Sequence, residues 1–272
     1  MEKIIIEPSR GWRHINSDEI WRFRELLYFF TWRDLKVRYR QTVIGVLWAL
    51  IQPLLTMIVF SVFFGRYAGV QSEGVPYPIF VYVGLLPWTL FSQSLARSSA
   101  SVVSNSHLIK KIYFPRLITP LAAAMSSVID FLIGFVILFF MMTVYKVPYT
   151  AGWLSLPFLI LITFVCSVGL GFWLSAINTL YRDIQYIIPF AIQIGLFLTP
   201  VIYPVSIVTD KYAWLLYLNP MAGIIETYRA LLLGYKSVPV FGLVLSVAVS
   251  LLFFISGIFF FRRMERIFAD VV

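Results

Sequence analysis

Histidine and cysteine are nearly missing from this chain: there are two of the first, His14 and His107, and one of the second, Cys166. A lone cysteine excludes a small disulfide-stapled scaffold. With no second His, Cys or carboxylate near His107, no metal site is expected. A nucleophile–base pair is equally hard to assemble. Charge is scarce as well. Only 13% of the 272 residues are charged, against about 25% in soluble domains. So few charges cannot solvate an ordinary soluble enzyme of this size. Intrinsic disorder is excluded in turn, because 60% of the chain is hydrophobic.

Catalytic signatures are also lacking. There is no G-x-x-x-x-G-K-[ST] phosphate loop, no G-x-S-x-G elbow and no H-E-x-x-H pair. A membrane glycosyltransferase would need clustered acidic residues at the membrane surface, and Asp210 and Glu226 stand alone. These absences describe a conduit without an engine. If such a chain moves anything uphill, energy must enter through its segments outside the membrane.

What is present is long uncharged runs. Residues 41–65, 74–96, 147–181, 184–209 and 237–261 carry no charge, and 117–145 carries only Asp130. Crossing a bilayer core takes roughly 20 apolar residues in a helix. In lipid the backbone must bond to itself, so each run is expected to be helical. The runs do not alternate in polarity as barrel strands do. The reading is an all-α integral membrane protein with six spans: 41–65, 74–96, 117–145, 153–178, 184–203 and 237–261. Pro53, Pro87, Pro157, Pro189 and Pro200 fall in or beside these spans. Each marks either a packing kink repaired by neighbouring helices or a hinge.

The net charge of +9 is a topology signal. Lys and Arg number 17 in the segments on one side of the six spans and five on the other. The positive-inside rule then puts both termini in the cytoplasm. The 17 face nine acidic residues, a bias suited to a lipid surface. No nucleic-acid motif is present, so nucleic acid is not expected as a partner. The first 40 residues are polar and lack the apolar core of a signal peptide, so the first span is expected to direct insertion.

Residues 17–40 are too charged to span. On a helix, Ile20, Phe23, Leu26, Leu27, Phe30 and Val37 share one face, and Arg22, Glu25, Arg33, Lys36 and Arg40 the other. Ser17 is the expected N-cap, with Asp18 and Glu19 in the first turn. This is an amphipathic interface helix, serving as a lipid anchor or as a platform that also touches a cytoplasmic partner. In the loop after span two, Asn105 or Ser106 is placed to cap a short helix that Pro115 would end. Leu108, Ile109, Ile112, Tyr113 and Phe114 make an apolar ridge beside Lys110 and Lys111, which suits docking on a protein or on the membrane.

Between spans five and six, 204–236 is long yet apolar, and suits two short helices dipping into the outer leaflet. Asn219 is the expected cap of the second, with Pro220 at its first position. Glu226 and Arg229, three apart, can pair. The loop holding Arg182 and Asp183 is short enough that these two either pair or cap. Asp130 has no cation within the spans and is expected to be neutral or bonded to Ser126 or Ser127; an intramembrane charge is by default a functional candidate. The chain also holds 25 Phe, 15 Tyr and 8 Trp. Trp88, Trp153, Tyr212, Trp214 and Tyr217 suit interfacial belts. Phe60, Phe63, Phe64, Phe190, Phe197 and Tyr203 lie on spans one and five. They face lipid or core, or they line a channel whose rings stack on the C–H faces of sugars.

Several stretches together resemble a known family. Tyr39-Arg40-Gln41-Thr42-Val43-Ile44-Gly45-Val46-Leu47-Trp48-Ala49-Leu50-Ile51-Gln52-Pro53 is similar to the entry of the first span in type-2 ABC permeases that export polysaccharide, including O-antigen, teichoic acid and capsule exporters. Asn105, Leu108-Ile109-Lys110-Lys111, Phe114-Pro115, Tyr181-Arg182-Asp183 and Leu218-Asn219-Pro220 also match. The resemblance implies a homodimer in the bacterial inner membrane with two separate ATP-binding cassette subunits. It implies a lipid-linked polysaccharide as cargo, threaded through a channel at the dimer centre. It implies no cofactor on this chain, with ATP and Mg bound by the partner. Asn105, Ser106, His107, Leu108, Ile109, Lys110 and Lys111 would form a coupling helix seated in the ATPase. Arg33 and Lys36 of the interface helix would lie against the same subunit. Phe60, Phe63, Phe190, Phe197 and Tyr203 would line the channel, and the paired re-entrant helices would close it.

Overall fold

A computed structural model describes residues 21–40, 45, 47–208 and 214–268. The described residues contain helices and no strand. In chain order the helices are α1 (Arg24–Arg40), α2 (Leu47–Phe60, continued by a π-helical stretch Ser61–Tyr67), α3 (Tyr77–Ser104) and α4 (Ser106–Lys111). They continue with α5 (Ile118–Val144), α6 (Leu156–Leu180, preceded by the 3-10 turn Ala151–Ser155), α7 (Ile184–Leu198), α8 (Pro220–Leu233) and α9 (Val240–Met264, followed by the 3-10 turn Glu265–Ile267).

Five of these elements are long and apolar enough to cross a membrane: Leu47–Tyr67, Tyr77–Ser104, Ile118–Val144, Ala151–Leu180 and Val240–Ile267. The sixth uncharged run behaves differently. Its helix α7 has 15 residues, about 22 Å at 1.5 Å per residue, short of a hydrocarbon core of about 30 Å. The helix stops where Thr199 turns extended, because the residue before a proline is pushed out of the helical region.

The central helix is α3. It packs against α5, α6, α2, α7 and α8, and nearly every residue from Ile79 to Leu90 is buried. A helix apolar all round suits a position with neighbours on every side. α9 packs on the far face of α6 through glycines: a Cβ on Gly257 would lie 2.4 Å from the Gly169 carbonyl oxygen. Small residues let two backbones approach closely, the usual device where lipid supplies no hydrophobic drive between helices.

A second apolar core fills one end of the bundle. Phe30, Val102, Ile109, Phe114, Leu117, Phe172, Phe261 and Phe268 meet there. α1 lies along α5, with Thr31 Oγ1 donating to the Ala122 carbonyl at 3.4 Å. The phase of α1 departs from the sequence reading. Phe30 is buried as expected, but Val37 is exposed and Leu35 is buried in its place, together with Thr31. The helix turns toward α5 and Asp130, whereas the apolar-face reading assumed a flat lipid surface. The expected cap Ser17 and Ile20 lie outside the described residues, as does most of the 41–46 stretch.

At the other end α8 is almost wholly buried. Asn219 caps it as expected, its Oδ1 accepting from Met221 N at 3.1 Å. Gly234 closes it with φ +65, a left-handed C-cap that glycine adopts without strain. Of the helix expected before it, residues 209–213 lie outside the described residues; Val205–Ile207 form a 3-10 turn and 214–216 are helical.

Candidate functional site

Three groups of residues stand out: a protruding loop, and a charge cluster toward each end of the bundle. The loop is α4 with the residues after it. Asn105 occupies the N-cap position of α4, yet its side chain turns back: Nδ2 donates to the Ser101 carbonyl at 2.7 Å. It therefore closes α3, and the capping role expected of it is not made by its side chain. α4 ends at Lys111, where Ile112 is extended, four residues before the expected stop at Pro115.

The apolar ridge divides in two. Ile109 and Phe114 point into the second core, whereas Ile112 and Tyr113 are exposed beside exposed His107, Lys110 and Lys111. Ser106 and Leu108 are half-buried. A recess of about 200 Å³ opens between Ile109, Lys110, Lys111, Ile112, Tyr113, Phe114 and Arg116. Its floor is braced from three directions. Phe30 meets Phe114 edge-on at 5.6 Å. Phe268 meets Phe261 at 5.2 Å. The Arg116 backbone N–H donates to Glu265 Oε1 at 3.2 Å, and its guanidinium donates to the Glu265 carbonyl. The result is a rigid, cationic knob with an apolar tip. Arg33 and Lys36 lie on α1 just after Phe30, the residue that meets Phe114; Arg33 pairs with Asp34 at 2.8 Å and lies over Phe30 at 4.7 Å, while Lys36 is exposed.

Asp130 overturns the expectation that it lacks a cation. Its Oδ2 accepts from Arg38 Nη1 at 2.7 Å and from Arg97 Nη2 at 2.8 Å. Tyr39 donates to Oδ1. Ser126 and Ser127 take part, but they accept from the arginines: Arg38 Nη2 to Ser126 at 3.0 Å and Arg97 Nη1 to Ser127 at 2.8 Å. Arg97 Nη2 also donates to Gln93 at 2.7 Å. The sequence reading placed Arg97 in a loop because the uncharged run ends at residue 96. The helix continues to Ser104, so Arg97 is about two turns inside α3 and faces Asp130. Burial, together with the neighbouring carboxylate, pushes the Tyr39 phenol up, which keeps its proton in place for Asp130.

Toward the opposite end Arg229 is fully buried and pairs with Glu226 at 3.2 Å, the pairing the spacing predicts. Sequence reasoning missed the rest. Arg229 donates to the carbonyls of Val201 at 2.5 Å, Pro200 at 2.7 Å and Phe80 at 3.3 Å. Its guanidinium also stacks over the Phe80 ring at 3.7 Å. It thus satisfies carbonyls of the non-helical segment that follows α7, whereas the last-turn carbonyls of Phe197 and Leu198 accept from the Tyr203 hydroxyl. A Cβ on Gly84 would stand 2.7 Å from Arg229 Nη2, so glycine is required there. Lys236 then links Glu226 to Glu73. Burial would raise the Glu73 pKa, but the Ser206 hydrogen bond and the Lys236 charge outweigh it, and the net shift is downward.

The channel candidates are not gathered by one copy of the chain. Phe63, Phe190 and Phe197 are exposed. Phe60 and Tyr203 are half-buried against the core, with Phe60 edge-on to Phe64 at 5.8 Å and the Tyr203 hydroxyl donating to Phe197 and Leu198 carbonyls. α2 and α7 both lean on α3 and leave Phe63, Phe190 and Phe197 outward. Arg182 and Asp183 are exposed; Asp183 stands at the N-cap of α7, where its carbonyl, and no side-chain oxygen, takes the bonds from Tyr186 and Ile187.

Residues 25–233, more than three quarters of the chain, match the family described as ABC-2 type transporter. The chain belongs to the ABC-2 transporter family. It is therefore a multi-pass membrane subunit of an ATP-binding cassette transporter, working with ATP-binding subunits and itself no enzyme. Among relatives, the O-antigen export system permease protein RfbA of Myxococcus xanthus is 31% identical over 253 residues, covering 91% of this chain and 96% of the relative. An RfbA of Klebsiella pneumoniae is 28% identical, covering 91% and 95%. The polysialic acid transport protein KpsM of Escherichia coli is 21% identical over 207 residues, covering 75% and 80%.

Proposed function

We propose that this chain is the channel-forming permease of an ATP-driven exporter of lipid-linked polysaccharide of O-antigen type. The observation that carries the reading is the similarity to two O-antigen export permeases over more than nine tenths of this chain and of theirs. The more distant KpsM similarity agrees on the cargo class and departs on the glycan. Under this reading the protein sits in the bacterial inner membrane as a homodimer with two ATP-binding subunits, which bind the ATP and Mg. The segment 184–203, α7 with the residues that follow it, makes the sixth crossing, both termini are cytoplasmic and 204–236 is re-entrant.

The physical picture supports each role. Residues 105–111 present two lysines and an exposed Ile112–Tyr113 tip, a combination that favours docking by charge steering followed by apolar burial. Arg33 and Lys36 lie on the same side. α2 and α7 expose aromatic rings that a second copy would face, and such rings stack on sugar faces without fixing one register. Phe60, Phe63, Phe190, Phe197 and Tyr203 are assigned to that lining.

The experiment is a deletion strain complemented by this chain together with its ATP-binding subunit. Complementation restores surface O-antigen, and the two subunits purify as a complex whose ATPase responds to lipid-linked glycan. Accumulation of a phospholipid or drug in place of a glycan would assign the chain to a lipid or drug exporter of the same family. Loss of teichoic acid or capsule would reassign the polymer.

A further inference from the structure

Exposure sorts the membrane helices into two kinds. Over 125–140 of α5, 156–180 of α6 and 240–259 of α9, every exposed residue is apolar. That is the surface hydrocarbon requires. α2 and α7 differ: Gln52 of α2 and Gln185 and Gln193 of α7 are exposed. Gln52 and Gln185 lie close to the starts of their helices. Gln193 does not. It stands ten residues past Asp183, about 15 Å at 1.5 Å per residue, near the middle of a hydrocarbon core about 30 Å thick. Its side chain has no hydrogen-bond partner among the described residues. An amide turned to hydrocarbon at that depth would leave its donors and its acceptor unpaired, a cost that the outer faces of α5, α6 and α9 avoid.

The neighbours of Gln193 decide what a polar space there would suit. Tyr186, Phe190, Gln193 and Phe197 are spaced four, three and four apart and form one face of α7. The three rings are 73%, 64% and 51% exposed. One amide thus stands between two rings, a turn from each. Ligand sites commonly combine aromatic walls with a few polar groups that fix orientation. Sugars present both matching chemistries, C–H faces that stack on rings and hydroxyl edges that pair with an amide. A lipid tail would use the rings alone. The face is also uncharged: no Lys, Arg, Asp or Glu occurs over 184–198 of α7 or 47–65 of α2. An ionised polymer would find no counter-charge along it, whereas an uncharged glycan needs none.

We propose that the Tyr186, Phe190, Gln193 and Phe197 face of α7 borders a water-filled path through the membrane, and that the Gln193 amide pairs with the hydroxyl groups of an uncharged glycan while the rings on either side stack on its sugars. The glycan in this inference rests on the export reading. The polar path does not, because it is measured without cargo.

The test uses the full chain assembled with its ATP-binding subunit in nanodiscs during ATP hydrolysis. Separate Gln193→Cys and Leu252→Cys variants are treated with a charged maleimide that does not enter lipid; Leu252 is exposed on α9, and the native Cys166 is buried and gives the background. A thiol reacts as the thiolate, which apolar surroundings suppress, so position 193 should label about tenfold or more faster than position 252. Equal rates overturn the polar path. So does a disulfide joining two copies of the Gln193→Cys variant, which would make the amide a contact between copies. Export from the complemented deletion strain tests the amide itself. Per assembled complex, Gln193→Leu should export glycan about fivefold more slowly, the worth of one hydrogen bond, while Gln193→Asn stays within about twofold of wild type. Unchanged export in Gln193→Leu overturns the role of the amide. Fast labelling at 193 in a transporter that moves a phospholipid or drug would overturn the glycan and the export reading together and leave the polar path standing.

Discussion

Replacing Arg229 with Met removes a fully buried guanidinium of nearly the same length as the new side chain. Three consequences follow from its contacts. Glu226, itself fully buried, loses its Oε1 partner and keeps only Lys236 at Oε2. The Val201 and Pro200 carbonyls lose donors at 2.5 and 2.7 Å. The Phe80 ring loses the cation stacked on it at 3.7 Å. Breaking a buried ion pair from one side costs about 3–5 kcal/mol, and Lys236 holds the value to the low end. The two orphaned carbonyls add about 1 kcal/mol or more each. The sum is about 5 kcal/mol, which for a chain of this size lowers the midpoint of thermal unfolding by about 10 °C or more. The assay is heating the detergent-solubilised protein and following the folded fraction by size exclusion. The pair Glu226→Leu with Arg229→Met removes both charges together and should recover a substantial part of the loss. A shift below about 2 °C for Arg229→Met, or a double variant no better than the single one, would refute the assignment of Arg229 as the closure of the segment that follows α7.

Three other expectations come from separate parts of the molecule. Charge reversal of exposed Lys110 and Lys111 to Glu should leave insertion and folding intact and abolish glycan-responsive ATPase in the reconstituted complex; normal coupling would remove the loop from the docking surface. Glu73 has a lowered pKa, so its contribution is complete above the ordinary value of 4.5 and is lost as the pH falls through its lower folded value. The acid limb of the stability curve should flatten in Glu73→Gln, and an unchanged limb would show that the Glu73–Lys236 link contributes nothing. Phe197→Ala alters an exposed ring and should leave the unfolding midpoint in place while slowing export of long chains more than short ones. Equal export of both lengths would put that ring against lipid.

Much of this molecule is legible without coordinates, for definite reasons. Uncharged runs declare helices because lipid leaves the backbone no other partner, and each of the six runs contains one. The Asn219–Pro220 cap and the Glu226–Arg229 pair were readable because both are local, two and three residues apart. What failed was non-local or depended on helix phase. Arg97 was counted with the loop because charge, and not helix continuation, marked the end of the run. Gln93 and Arg97 on one turn of α3, facing Ser126, Ser127 and Asp130 on one turn of α5, carried the signal in their spacing. Nothing in the spacing could bring in Arg38, 92 positions away from Asp130. Val37 and Leu35 were exchanged because α1 has apolar residues on more than one face, with Trp21, Tyr28, Phe29 and Trp32 exposed. A flat-surface reading then chooses the wrong stripe. The end of α7 was overrun because hydropathy passes through Thr199 and Pro200, where the backbone does not continue.

Under the proposed docking role, the bracing of the loop at 105–116 has a consequence for how such transporters can be recombined. Ile109 and Phe114 are core residues of a cluster completed by Phe30, Phe261 and Phe268, and Arg116 is tied to Glu265. The loop is therefore not a cassette that can be cut at residues 105 and 116 and grafted into another permease. A chimera built to exchange ATPase partners would have to carry α1 and the end of α9 along with it. The unit of interchange is three pieces of chain widely separated in sequence, and a graft of the loop alone should lose its shape before it loses its charge.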